Sequence, residues 1–136
     1  LIHSVDSKKL LDEIEKVAAK HDKVQDILLQ VNVAREASKS GMSVEEFPDI
    51  RDYAKTLPHV RVKGLMCMAP FFENPEDARP IFRVAHALYE DMKGYFPDGD
   101  IQYLSMGMTH DFEIALQEGA NIVRVGTAIF GERVYN

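Results

Sequence analysis

Two spacings of apolar residues alternate along the chain. Leu1 to Val5 is a short, mostly apolar run, and after it Leu10, Leu11, Ile14, Val17 and Ala18 recur at the intervals of a helix face. Asp6-Ser7 stands before that helix as its cap. Asp26 to Val33 is rich in β-branched and aliphatic residues, the pattern of a strand covered on both faces. A polar loop, Arg35 to Gly41, leads to Ser43-Val44-Glu45-Glu46, whose spacing is that of a capping box. The helix it opens carries Phe47, Ile50, Ala54 and Leu57 on one face. Pro48 in the first turn is expected to delay the regular helix.

Val60 to Met68 reads as the third long strand, ending at Ala69-Pro70. Asn74-Pro75-Glu76-Asp77 combines a capping Asn, Pro at the first helical position and acids in the first turn. Its helix places Ile81, Ala85, Leu88 and Met92 together and stops near Gly94. Ile101 to Ser105 is a strand, and Thr109-His110-Asp111 begins a helix through Ile114 and Leu116 to Gly119. Ile122 to Val125 is the last strand, and Gly126-Thr127 starts a short terminal helix. The reading is α/β, one domain over residues 1–136, with five strands alternating with four helices and no repeats or linkers. Parallel strands joined by right-handed crossovers satisfy this order most economically. A full (β/α)₈ barrel needs eight such units and about 250 residues. The expectation is therefore an open sheet or a partial barrel.

Composition narrows the partners. The 136 residues are 46% hydrophobic and 28% charged, as in ordinary globular domains. A net charge of −6 disfavours nucleic acid and anionic membrane surfaces. No apolar run approaches the roughly 20 residues of a membrane span. The single Cys67 cannot form an internal disulfide, which fits a reducing, cytoplasmic location. The absent initiator Met and the start inside an apolar run lead us to expect a piece of a longer protein.

In an alternating βα chain, functional groups gather at the carboxyl ends of the strands. Ser105-Met106-Gly107-Met108-Thr109 is followed fifteen residues later by Arg124-Val125-Gly126-Thr127-Ala128-Ile129-Phe130-Gly131. Both segments read as a strand end, a glycine-bearing turn and a helix start, a geometry that aims backbone N–H groups at an anion. Together they describe a phosphate cup with Arg124 beside it. Ser105 reads as a ligand and Thr109 as a capping hydroxyl; Gly107, Gly126 and Gly131 also suit tight turns. His110-Asp111 fits a surface first turn better than a general-base pair, because adjacent helix residues diverge. The histidines show no metal-ligand spacing. Cys67 reads as a small core residue, and Asn32 either lines the pocket or caps the following loop.

These same residues carry a resemblance. Leu104 to Ala115, Val123 to Gly131, Gln30-Val31-Asn32-Val33 with Lys39-Ser40-Gly41, and Gly64-Leu65-Met66 resemble the pyridoxal phosphate homeostasis proteins. That family is also described as proline-synthetase-co-transcribed or alanine-racemase-N-terminal-domain-like. The resemblance implies a fold-type-III barrel that binds pyridoxal 5'-phosphate (PLP) and has little or no enzymatic activity, with a role in intracellular PLP homeostasis. It implies that Ser105, the backbone around Gly107, Gly126 and Thr127 hold the phosphate and that Arg124 faces the ring nitrogen. A guanidinium only donates, so it would leave that nitrogen unprotonated and the ring a poor electron sink.

The family's aldimine lysine lies on the first barrel strand, whereas Leu1–Val5 matches the fourth. The expectation is that this chain lacks that lysine, Lys39 and Lys63 being surface residues, and binds PLP weakly or not at all. Two alternatives accompany it: a truncated half-barrel without ligand chemistry, and a barrel enzyme acting on another phosphorylated metabolite. Apolar strand edges at Leu1–Val5 and Ile122–Val125 lead us to expect a homodimer or higher oligomer.

Overall fold

The computed structural model describes residues 1–35 and 40–126. Five strands, β1 (Ile2–Val5), β2 (Gln25–Val31), β3 (Val60–Cys67), β4 (Tyr103–Met108) and β5 (Ile122–Arg124), form one sheet in sequential order. Every neighbouring pair is parallel. Between them lie α1 (Lys8–Lys20), α2 (Phe47–Lys55), α3 (Arg79–Met92) and α4 (Phe112–Gln117). The α/β reading and its partial-barrel form hold: sequential parallel order is that of a barrel wall, and the sheet curls. The sharpest sign of curling is a contact between β1 and β4, which are not neighbours; His3 Nδ1 lies 3.3 Å from Ser105 Oγ.

Curling separates the strand side chains into two sets. Val5, Ile27, Leu29, Val31, Val62, Leu65, Cys67, Leu104 and Met106 join the core that the helices cover with Leu11, Phe47, Phe82 and Ala115. Gln30 and Ser105 are also buried, on the strands but outside that core. Gly64 explains how closely β3 and β4 approach. A Cβ there would stand 1.8 Å from the Tyr103 carbonyl oxygen, so only glycine fits.

Caps and boundaries follow local chemistry. Ser7 Oγ accepts from Leu10 N–H at 3.1 Å, and Asn74 Oδ1 accepts from Glu76 N–H at 3.1 Å. The capping box forms, with Glu46 N–H donating to Ser43 Oγ at 3.0 Å, but α2 starts only at Phe47 with Pro48 in its first turn. The Asn74 start first makes a 3₁₀ turn, Pro75–Ala78, before α3. On α3 the buried positions are Phe82, Ala85, Tyr89 and Met92; Ile81 and Leu88 are only half-buried, because the larger aromatics take the face against the sheet. Val17 of α1, expected in the core, is exposed beside the open β1 edge.

β4 begins and ends later than Ile101–Ser105, running through Gly107 to Met108, and α4 starts at Phe112 rather than Thr109. The reason lies in Asp111. Its carboxylate Oδ1 accepts from Met108 N–H at 2.8 Å while its own N–H donates to the Met108 carbonyl at 3.2 Å. That closed turn occupies residues on which the helix would otherwise have started.

Candidate functional site

The register places Ser105 opposite Ile122 and Met108 opposite Arg124, so the last two strands present their ends side by side. Ser105 is fully buried, and its hydroxyl meets the His3 imidazole. Arg124, half-buried at the end of β5, reaches across to β3, where its Nη2 donates to the Cys67 carbonyl at 3.0 Å. Its Nε is buried and finds no partner among the described residues. A buried donor without an acceptor costs about 1–3 kcal/mol. Arg124 Nε is thus a positively charged donor held ready for an acceptor that these residues do not supply.

The electrostatics of this mouth centre on Arg124. Burial lowers the proton affinity of its guanidinium, while Cys67 and Asp111 act the other way. An arginine stays protonated through such a shift. Burial, then the Arg124 charge and the Leu1 amino group, push the His3 imidazole below its ordinary value. The Cys67 thiol is pushed up to about 12, chiefly by burial; it is a core thiol, as its apolar strand indicates.

Gly107 has φ +103, a conformation that suits glycine alone. A Cβ at this position would lie 2.7 Å from Ala115 Cβ and 3.1 Å from Phe112 Cα, so α4 packs directly on bare backbone. The next N–H, that of Met108, is not free for an anion because Asp111 takes it. Asp111 is only 6% exposed, which corrects its reading as a surface residue of a first helical turn. His110 beside it is exposed and does point elsewhere, its ring 4.3 Å from that of Phe71. Among the described residues no group of His, Cys, Asp and Glu could hold a metal ion.

Gly126 follows β5 at the exposed rim, with open space where a Cβ would stand. Thr127, the terminal helix and Gly131 lie outside the described residues, as does Lys39. Lys63 is 9% exposed and so is not the surface residue expected. It sits in mid-β3, near enough to Asp26 for its charge to help, after the Arg61 hydrogen bond, to hold that carboxyl below its usual value. Asn32 has its backbone in the loop, its N–H donating to the Met42 carbonyl at 2.7 Å and its carbonyl accepting from Arg35. Two members of the mouth escaped sequence reasoning. His3 lies 102 positions from Ser105, and only the curl of the sheet joins them. Asp111 was visible as an acid three residues after Met108, the spacing of a side chain closing its own turn.

Known proteins share this fold. The model of the family described as alanine racemase, N-terminal domain, matches residues 1–134. The chain is 49% identical over 135 residues to the pyridoxal phosphate homeostasis protein of Aquifex aeolicus, covering 99% of this chain and 59% of that relative. It is similar to the solved structure of PipY of Synechococcus elongatus without PLP, with TM-score 0.86, 30% identity, and coverage of 96% of this chain and 60% of that one. The same protein with PLP bound gives a TM-score of 0.77 over the same shares. The chain thus spans less than two thirds of the length of these relatives.

Proposed function

This chain belongs to the alanine racemase N-terminal domain family, and from that premise we propose that it carries the phosphate and ring-nitrogen half of a PLP site serving intracellular PLP homeostasis. The observation that carries the reading is Arg124 Nε, a buried cationic donor at the strand-end mouth with no acceptor among the described residues. A pyridine nitrogen is such an acceptor. Support also comes from PipY, a relative with a structure described as having PLP bound. Bound PLP supplies an electron-accepting ring and an aldehyde that captures amines. Arg124 donates to the ring nitrogen and keeps its own proton, which favours binding over carbanion chemistry. Ser105, the backbone at Gly107, Gly126 and Thr127 hold the phosphate. Because Asp111 occupies the Met108 N–H, the Ser105 hydroxyl and the Gly126–Thr127 backbone carry most of that task.

We assign no lysine of this chain to the aldehyde. Lys63 lies four residues before Cys67, about 13 Å back along the strand at ~3.3 Å per residue, beyond a lysine's reach of the mouth. This chain therefore binds PLP weakly and non-covalently. The chain's partners are PLP and a second copy, not nucleic acid, and its compartment is the cytoplasm. The second copy docks at the β1 edge, where the exposed Ile2 and Val17 line a groove of about 530 Å³ and Leu1 and Val24 are also exposed. Among the described residues no helix is long and apolar enough to cross a membrane.

Titration with PLP, pyridoxal and a sugar phosphate, followed by borohydride reduction and intact mass, tests the reading. The expected order places PLP tightest, with no covalent adduct at a single lysine. Tighter binding of the sugar phosphate would overturn the cofactor assignment; a stoichiometric lysine adduct would overturn the lysine assignment. Light scattering tests the second copy, a monomer at micromolar concentration being the contrary result.

A further inference from the structure

The His3–Ser105 contact has a chemical consequence for anion binding. A serine hydroxyl has one proton and two acceptor positions. Ser105 is fully buried, and the partner that the structure gives its hydroxyl is His3 Nδ1 at 3.3 Å. If the imidazole is neutral with its proton on Nε2, Nδ1 accepts the Ser105 proton, and the hydroxyl can offer an anion only lone pairs. If Nδ1 carries a proton, it donates to the Ser105 oxygen, and the hydroxyl proton is free to turn to the anion. The two protonation patterns make Ser105 respectively a repeller and a donor.

We infer that His3 is a positioning residue for Ser105: an Nδ1–H on His3 sets the Ser105 hydroxyl as a phosphate donor. The inference rests on the reading of Ser105 as a phosphate ligand. The side-chain charge facing His3 is the Arg124 guanidinium, with the Asp111 carboxylate beyond, against Arg124. Arg124 is cationic and disfavours a proton on the ring. A bound dianion reverses that field, so ligand binding and protonation of His3 reinforce each other. Where the dianion draws His3 to the imidazolium, binding takes up a proton there, and relative to a chain without this histidine the mouth binds more tightly as pH falls from 8 towards 6.

Pyridoxine 5'-phosphate is the probe, because it lacks an aldehyde and cannot react with stray lysines; pyridoxine is the control without phosphate. Histidine ring ¹⁵N spectra of the 136-residue chain should show His3 shifting to the Nδ1-protonated pattern on saturation with pyridoxine 5'-phosphate but not with pyridoxine. His3→Leu should weaken pyridoxine 5'-phosphate binding about threefold to tenfold, the worth of one positioned hydrogen bond. His3→Asn, whose amide N–H stands near the Nδ1 position, should restore binding and abolish the excess pH dependence of the unmodified chain. Comparison among variants cancels the titration of the phosphate itself. The inference is overturned if the His3 spectrum does not change while the probe is bound, or if Leu and Asn variants bind alike. Failure of the unmodified chain to bind the probe at all would instead overturn the site reading, a distinguishable result.

Discussion

Gly107→Ala should be the most costly small substitution at the mouth, and its cost can be divided. The backbone at φ +103 is strained for any L side chain, at about 1–2 kcal/mol. The new methyl would also stand 2.7 Å from Ala115 Cβ on α4, an overpacking of about 1–3 kcal/mol. The sum, about 2–5 kcal/mol, is a large part of a typical domain's stability. Only the second component involves Ala115. Ala115→Gly alone should cost about 1 kcal/mol in helix propensity and a similar amount in lost burial. The double variant should be more stable than the summed single costs by about 1–3 kcal/mol, because the clash disappears while the backbone strain remains. Urea denaturation followed by circular dichroism, with the four chains of the cycle compared at equal m-value, measures this coupling. A Gly107→Ala cost under about 0.5 kcal/mol, or a cycle additive within about 0.5 kcal/mol, would refute the account of how β4 seats on α4.

Two further outcomes are expected. Cys67, with its thiol pushed up to about 12 by burial, should resist a thiol reagent at pH 8 in the native chain and react at once in denaturant; fast labelling of native protein would contradict its core placement. Glu118 accepts from Arg79 Nη1 at 2.6 Å and Arg83 Nε at 3.1 Å, clamping the end of α4 to α3. The Arg79 hydrogen bond, with Arg83 assisting, holds its carboxyl below the ordinary value of 4.5. Folding therefore favours the ionised form, and the contribution is complete above about 4.5 and vanishes as pH falls through the lowered value. Glu118→Gln should lower the melting temperature by a few degrees at pH 7, and the gap should narrow as pH falls below 4.5; a gap that does not narrow would count against the clamp.

The alternation of apolar spacings carried the fold, because buried parallel strands and amphipathic helices leave different periods in sequence. Ser7, Asn74 and the Ser43–Glu46 box capped where their side-chain chemistry indicated. The boundaries that shifted did so for local reasons, as when the Asp111 carboxylate closed its own turn and delayed α4. Arg124 was legible as a strand-end cation, but its orphaned Nε and its bond to Cys67 depend on how far the sheet curls. The same curl joins His3 to Ser105, a contact between residues that no local pattern connects.

The central claim is that Arg124 stands ready for the ring nitrogen of PLP, and Arg124→Met tests it most directly. The substitution removes the Nη2 bond to the Cys67 carbonyl, but it also removes the buried Nε that lacks a partner among the described residues. Those changes oppose each other, so the unfolding free energy without ligand should stay within about 1 kcal/mol. A charge-assisted hydrogen bond to the ligand is worth about 1.5–3 kcal/mol, so calorimetric titration with PLP should show affinity falling about tenfold to a hundredfold. PLP binding as tightly to Arg124→Met as to the unmodified chain would contradict the account.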